Sequence, residues 1–260
     1  MKLNFKQYSS AGEPLIILHG LFGNLNNWSW HSRKFAERYA VYALDLRNHG
    51  DSPHAPDMSY QLMAEDVLQF MDDQGISKAN VLGHSMGGKV AMQLALIAPQ
   101  RVMKLVVADI APVQYGDERG EHDEIFDGLC ALNPASLSSR TSADHELAKW
   151  VSDEIVRQFL LSNLVRREGG GFQWRINLPV LKASYPALRA KPVADKPFVG
   201  PVLFVRGDLS DYIKTAHKDE VLALFPDASI KTIMQTGHWL HAEKPETFHR
   251  IVDDFLQADS

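Results

Sequence analysis

A single cysteine, Cys130, among 260 residues leaves no partner for an intramolecular disulfide and too few thiols for a multi-cysteine zinc site. Positive charge is not in excess: 27 Lys and Arg against 32 Asp and Glu give a formal charge of -5. Nucleic-acid binding through a basic face is therefore not expected. No apolar run approaches the roughly 20 residues that a membrane-spanning helix needs. Met1-Lys2-Leu3-Asn4-Phe5-Lys6 leads into polar residues without the apolar stretch of a secretory signal, so a cytoplasmic protein is expected. There is no His-Glu-x-x-His pair, no ligand cluster, no internal repeat and no low-complexity tract. Neither a metal nor a cofactor is expected. What remains is 45% hydrophobic and 23% charged, the balance of a soluble globular chain long enough for one large domain, or one domain with an insertion.

Short apolar runs alternate with helical patterns along most of the chain. Leu3–Tyr8 alternates like a half-buried strand, while Leu15–Leu18, Val41–Leu44, Ala79–Leu82, Lys104–Ala108 and Val202–Val205 are continuous apolar runs. Such runs suit strands buried on both faces, and Ile230–Met234 makes one more strand. Between them, Leu62, Met63, Val67, Phe70 and Met71 mark a helix started by Ser59 and stopped by Gly75. A second helix carries Val90, Ala91, Leu94, Ala95 and Ala98 and is closed by Pro99; the last carries Phe248, Ile251, Val252, Phe255 and Leu256. This predicts an α/β fold with a mostly parallel central sheet flanked by helices. Residues 112–197 break the alternation with helical segments (Glu124–Leu132, Asp144–Val165) and a Gly169-Gly170-Gly171 loop. They read as a helical cap insertion into a core formed by residues 1–111 and 198–260.

In such sheets, sites lie beyond the carboxyl ends of the strands. Gly83-His84-Ser85-Met86-Gly87 matches G-x-S-x-G where a strand gives way to a helix, the setting of a nucleophile elbow. A turn this tight needs glycines where neighbouring side chains would collide, and it lifts the serine oxygen above a helix N-terminus. The same stretch opens like a phosphate-binding loop, but Val90 stands where that loop needs a Ser or Thr hydroxyl.

A serine hydroxyl needs a base, and His238 follows the Ile230–Met234 strand. His241 reads as a support for that loop. For the acid there are two candidates. Counting G-x-x-D from Gly207 places Ser210 where an acid is common, with Asp208 two residues early and Asp211 one late. Asp109, ending the strand after the nucleophile helix, could reach the same imidazole; it is preferred, with Asp211 as the alternative acid. His19-Gly20-Leu21-Phe22-Gly23 follows an early strand, so the backbone N–H groups of Leu21 and Met86 are the natural oxyanion donors.

These motifs, together with Asp45-Leu46-Arg47-Asn48-His49-Gly50-Asp51-Ser52, Asp109-Ile110-Ala111-Pro112 and Gly237-His238-Trp239, resemble those of the YbfF-type esterases of the α/β-hydrolase superfamily. The resemblance runs from Leu15 to Pro245 and implies hydrolysis of acyl esters and thioesters beneath a helical cap. It sets the family's serine, acid and histidine on Ser85, Asp109 and His238. The chain departs from the family around Asp208 and Asp211, where an acid is usually lacking. The expected partner is a small acyl ester or thioester, with no nucleic acid and no membrane span, for a monomer or weak homo-oligomer. Phe22, Trp28 and Trp239 are candidate substrate-binding residues in an apolar acyl pocket. The alternatives are a carbon–carbon bond hydrolase, a cofactor-free peroxidase, or a ligand-sensing module that keeps the three residues.

Overall fold

The computed structural model of the chain describes residues 1–116 and 120–258. In chain order its elements are β1 (Phe5–Gln7), β2 (Pro14–Leu18), α1 (Ser29–Phe35), β3 (Ala40–Leu44), α2 (Tyr60–Asp73), β4 (Ala79–His84), α3 (Met86–Ile97) and β5 (Val102–Ala108). Then come α4 (Glu121–Ala131), α5 (Arg140–Leu147), α6 (Glu154–Leu161), β6 (Leu164–Arg166), β7 (Phe172–Trp174) and α7 (Leu178–Arg189). The chain closes with β8 (Val202–Gly207), α8 (Lys218–Leu224), β9 (Ala228–Ile233), α9 (Leu240–Glu243) and α10 (Pro245–Gln257). The main sheet has 7 strands in the order β1-β3-β2-β4-β5-β8-β9. β1 is antiparallel to β3, and the other pairings in that sheet are parallel.

The continuous apolar runs are explained by a core on each face. Successive strand residues point to opposite sides. Leu15 and Ile17, Val106 and Ala108, and Leu203 and Val205 pack with Phe35 of α1 and Phe248, Val252 and Leu256 of α10. Their neighbours Ile16, Leu18, Leu105, Val107 and Phe204 pack on the other face with Met63 and Val67 of α2 and Val90 and Leu94 of α3. The two edge strands, β1 and β9, are largely exposed. Ser59 caps α2 by accepting from Leu62 N. Gly75, at φ 66°, ends it, with its own N–H on Asp72 O and that of Ile76 on Met71 O.

Between β5 and β8 the structure differs from the sequence pattern in two ways. Asp144–Val165 reads as one helix but is two, α5 and α6, followed by a strand. The break is chemical: Asp153 Oδ1 accepts from Ile155 N at 2.7 Å, starting α6 afresh. Arg157 then ties the pieces together, its Nε 2.8 Å from Asp144 Oδ1 and its Nη1 on Val151 O. Second, β6 and β7 form a short antiparallel ribbon around Gly169, Gly170 and Gly171, all at positive φ. Three residues per strand are too few for periodicity to reveal. Residues 117–119 of the expected insertion lie outside the described residues. Among those described, no helix is long and apolar enough to cross a membrane.

Candidate active site

Three strand ends and one late loop converge. Ser85 joins β4 to α3 at φ 53°, ψ -120°, a strained conformation for a residue with a side chain. The flanking glycines make the turn possible. A Cβ at Gly83 would lie 2.2 Å from Gly87 O, and one at Gly87 would lie 2.5 Å from both Leu18 O and His19 O. The helix therefore presses against β2, and the serine side chain is driven out at its N-terminus.

His238 comes from the loop between β9 and α9. Its Nε2 is 2.9 Å from Ser85 Oγ and its Nδ1 is 2.8 Å from Asp109 Oδ2. Asp109 ends β5 at φ 52° and has no exposed surface. Its carboxylate is compensated by further donors: Gly207 N–H reaches Oδ1 at 3.1 Å, and Ser210 Oγ donates to Oδ2. The residue standing at the G-x-x-D acid position thus serves the acid of the neighbouring strand. Asp211 is not a partner of His238, although it borders the open space in front of Ser85. Its side chain is 92% exposed and pairs with Lys214 at 3.1 Å.

Neutral histidines hold these loops. His84 Nε2 donates to His238 O at 2.9 Å, fixing the loop that carries the imidazole. His49 donates from Nδ1 to Arg47 O at 2.9 Å and accepts Phe22 N–H at Nε2, 3.1 Å. His19 repeats the pattern, donating to Gly20 O and accepting from Leu46 N. Burial lowers His84 and His49 to about 3 and His19 to about 4, so each remains an uncharged bridge. Asp45, also buried, gathers Leu25 N, Asn4 Nδ2 and Asp51 N. The Asp45–Gly50 motif is thus the frame of the loop before it, a role that its spacing alone does not reveal. His241 supports its loop by stacking on Trp28 at 4.5 Å and by its carbonyl, which accepts from His31. Its Nδ1 is buried without a hydrogen-bond partner.

Two cavities meet at Ser85. The larger, about 820 Å³, is lined by Leu21, Ser85, Met86 and Ile110, but also by Tyr60, Tyr115, Tyr185 and Tyr212, so it is more polar than an apolar acyl pocket. The smaller, about 30 Å³, has Phe22, His238 and Trp239 in its wall, roofed by Ile125, Val156, Phe159 and Leu160 of α4 and α6. Leu21 and Met86 both flank the serine, and Met86, opening α3, has an N–H without an intrahelical acceptor. Trp28 lines neither cavity; it is 1% exposed and belongs to the core beneath α10. His122 of α4 stands in the wall of both, and no motif points to it. Among the described residues no group of three or more His, Cys, Asp or Glu could hold a metal ion. Chemically, the arrangement can deprotonate a hydroxyl and return that proton to a departing group.

A family model of the alpha/beta hydrolase fold matches residues 13–245. Esterase YbfF of Escherichia coli (strain K12) is 38% identical over 98% of this chain and 99% of its own. The sn-1-specific diacylglycerol lipase ABHD11 of Mus musculus is 39% identical over 93% of this chain and 80% of its own. A solved structure, a marine microorganism esterase, superposes with a TM-score of 0.96 at 39% identity, covering 98% of this chain and 99% of that one.

Proposed function

The chain belongs to the α/β-hydrolase fold family, among its YbfF-type esterases, and from that membership we propose that it cleaves carboxylic esters, and acyl thioesters by the same route, through Ser85, His238 and Asp109. The observation that carries this reading is the unbroken line of contacts from Ser85 Oγ to His238 Nε2 at 2.9 Å, and from His238 Nδ1 to Asp109 at 2.8 Å.

Ser85 Oγ attacks the acyl carbon as His238 Nε2 takes its proton. Asp109 keeps the imidazole in the tautomer with Nδ1–H and stabilises the imidazolium. The N–H groups of Leu21 and Met86 receive the oxyanion, each such donor being worth about 3 kcal/mol of transition-state stabilisation. Collapse breaks the carbon–oxygen or carbon–sulfur bond, and the leaving group takes the proton from His238. A water molecule, deprotonated by the same imidazole, then attacks the acyl-enzyme, releasing the acid and restoring Ser85. Residues 112–197 act as the cap over this centre, with Phe22 and Trp239 bordering the substrate. Its relatives named as an esterase and as a diacylglycerol lipase support an ester as substrate.

The test is turnover of p-nitrophenyl esters of increasing chain length, an acyl-CoA and a carbon–carbon dione by wild type and Ser85→Ala. Esters cleaved by wild type, with a loss of at least about 1,000-fold in Ser85→Ala, support the proposal. Inert esters with a cleaved dione would overturn it in favour of carbon–carbon hydrolysis. Tight retention of a small ligand with no turnover would favour a sensing role.

A further inference from the structure

Gly20, Leu21, Phe22 and Gly23 form a tight turn closed by Gly23 N–H on Gly20 O at 3.0 Å. Phe22, its third residue, sits at φ 62°, a region that glycine or asparagine occupies readily and a phenylalanine does not. The conformation has to be imposed from outside the turn. Two hydrogen bonds do so, one from its N–H and one to its carbonyl. His49, following β3, accepts Phe22 N–H at 3.1 Å. Asn163, between α6 and β6 of the insertion, donates from Nδ2 to Phe22 O at 2.7 Å.

Asn163 is built for that bond. It has no exposed surface, and its own carbonyl is fixed by Arg175 N–H at 2.8 Å. Its Nδ2 also reaches Leu160 O at the end of α6, at 3.3 Å, while its Oδ1 is buried with no partner. Leaving a buried acceptor unmet is unfavourable, so the side chain is positioned by its donor alone. The bond spans 141 positions in sequence.

We propose that Asn163 is a positioning residue for ester hydrolysis, holding the Gly20–Gly23 turn so that Leu21 N–H faces the oxyanion only when the insertion is seated. This rests on the reading of Leu21 as an oxyanion donor. Without the amide of Asn163 on its carbonyl, Phe22 is released from one side and can relax toward ordinary backbone angles. Leu21 N–H then swings away from the reacting carbonyl. Ground-state binding, made by the cavity walls, is largely kept, while the transition state is deprived of a donor. The insertion thereby serves as more than a lid: its docking completes the chemistry beneath it.

The test compares wild type, Asn163→Ala, Asn163→Leu (similar size, no donor) and Asn163→Ser (a small polar variant should the others not fold). kcat is expressed per active site titrated with a fluorophosphonate, which removes any unfolded fraction. The turnover substrate is p-nitrophenyl acetate, and the oxyanion probe is an aryl trifluoromethyl ketone, which adds to the serine as a charged tetrahedral adduct. The expected result is a kcat loss of about 10- to 100-fold, an equal weakening of ketone affinity, and a KM within about twofold of wild type. Unchanged kcat per titrated site, or a kcat loss without a matching loss of ketone affinity, would overturn the inference alone. Ester turnover that survives in Ser85→Ala would instead overturn the proposed function, and the inference with it.

Discussion

Asp109 has no exposed surface, so protein donors must stand where water would otherwise hydrogen-bond its side chain. His238, Gly207 N–H and Ser210 supply them. Asp109→Asn keeps the shape but makes the tautomer that points Nδ1–H at residue 109 unfavourable. We expect kcat to fall by about 10,000-fold, while Asp211→Asn, changing a surface group paired with Lys214, stays within about twofold. Steady-state ester kinetics on the two variants check this, and the opposite pattern would move the acid to Asp211. At this scale the sequence is legible where chemistry is local. Ser85 sits in a five-residue motif whose glycines are explained by contacts within the turn and with β2. Ser210 is visible as a departure, but its role is not, because its partner lies 101 residues away. The same holds for His49 and Asn163, which touch Phe22 across 27 and 141 positions. Spacing does not encode such pairs.

Helix α3 does two jobs. Its first turn carries the serine over β2, so Gly87→Ala would drive a methyl group into Leu18 O and His19 O. We expect that variant to lose about 100-fold or more in activity and to melt at a lower temperature, measured by ester assay and circular dichroism; wild-type values for both would contradict the packing account. One turn later, buried Lys89 donates to Val113 O, Arg189 O and Ala190 O, between the rings of Tyr60 and Tyr115. Gln93 follows with a reciprocal pair of bonds to Val193. Helix α3 therefore grips both ends of the segment between β5 and β8. Lys89→Met should raise hydrogen exchange in residues 113–115 and 189–193 while leaving β4 and β5 unchanged; equal exchange in both would remove the clasp. Buried strands and the amphipathic α10 are readable because one hydrophobic period dominates each. The α5–α6 break is not, since α5 ends at Leu147 and Asp153 starts α6 afresh without a proline or glycine between them to mark the gap. α7 escapes the sequence pattern because Pro186 lies inside it, a residue that argues against a helix interior.

The whole molecule stores uncharged histidines. Burial lowers His19, His31 and His122 to about 4 and His49 and His84 to about 3. The unfolded chain takes up protons near 6.5 that the folded chain refuses, so folding stability is full above 6.5 and lost as pH falls toward 4. Each such group adds a slope of up to about 1.4 kcal/mol per pH unit. Lys89, lowered from 10.5 to about 7 by burial, adds a further gain of stability as pH rises from 7 toward 10.5. Urea midpoints should therefore drop steeply between pH 6.5 and 4; a constant midpoint there would mean that these histidines are not held neutral. The proposed hydrolysis passes through a covalent event at one oxygen, Ser85 Oγ. Acid quench of wild type during turnover of a p-nitrophenyl ester, followed by peptide mass spectrometry, should show the acyl mass on the peptide bearing Ser85, and none in Ser85→Ala. An acyl group on a different residue, or full turnover with no acylated peptide even under burst conditions, would contradict the account.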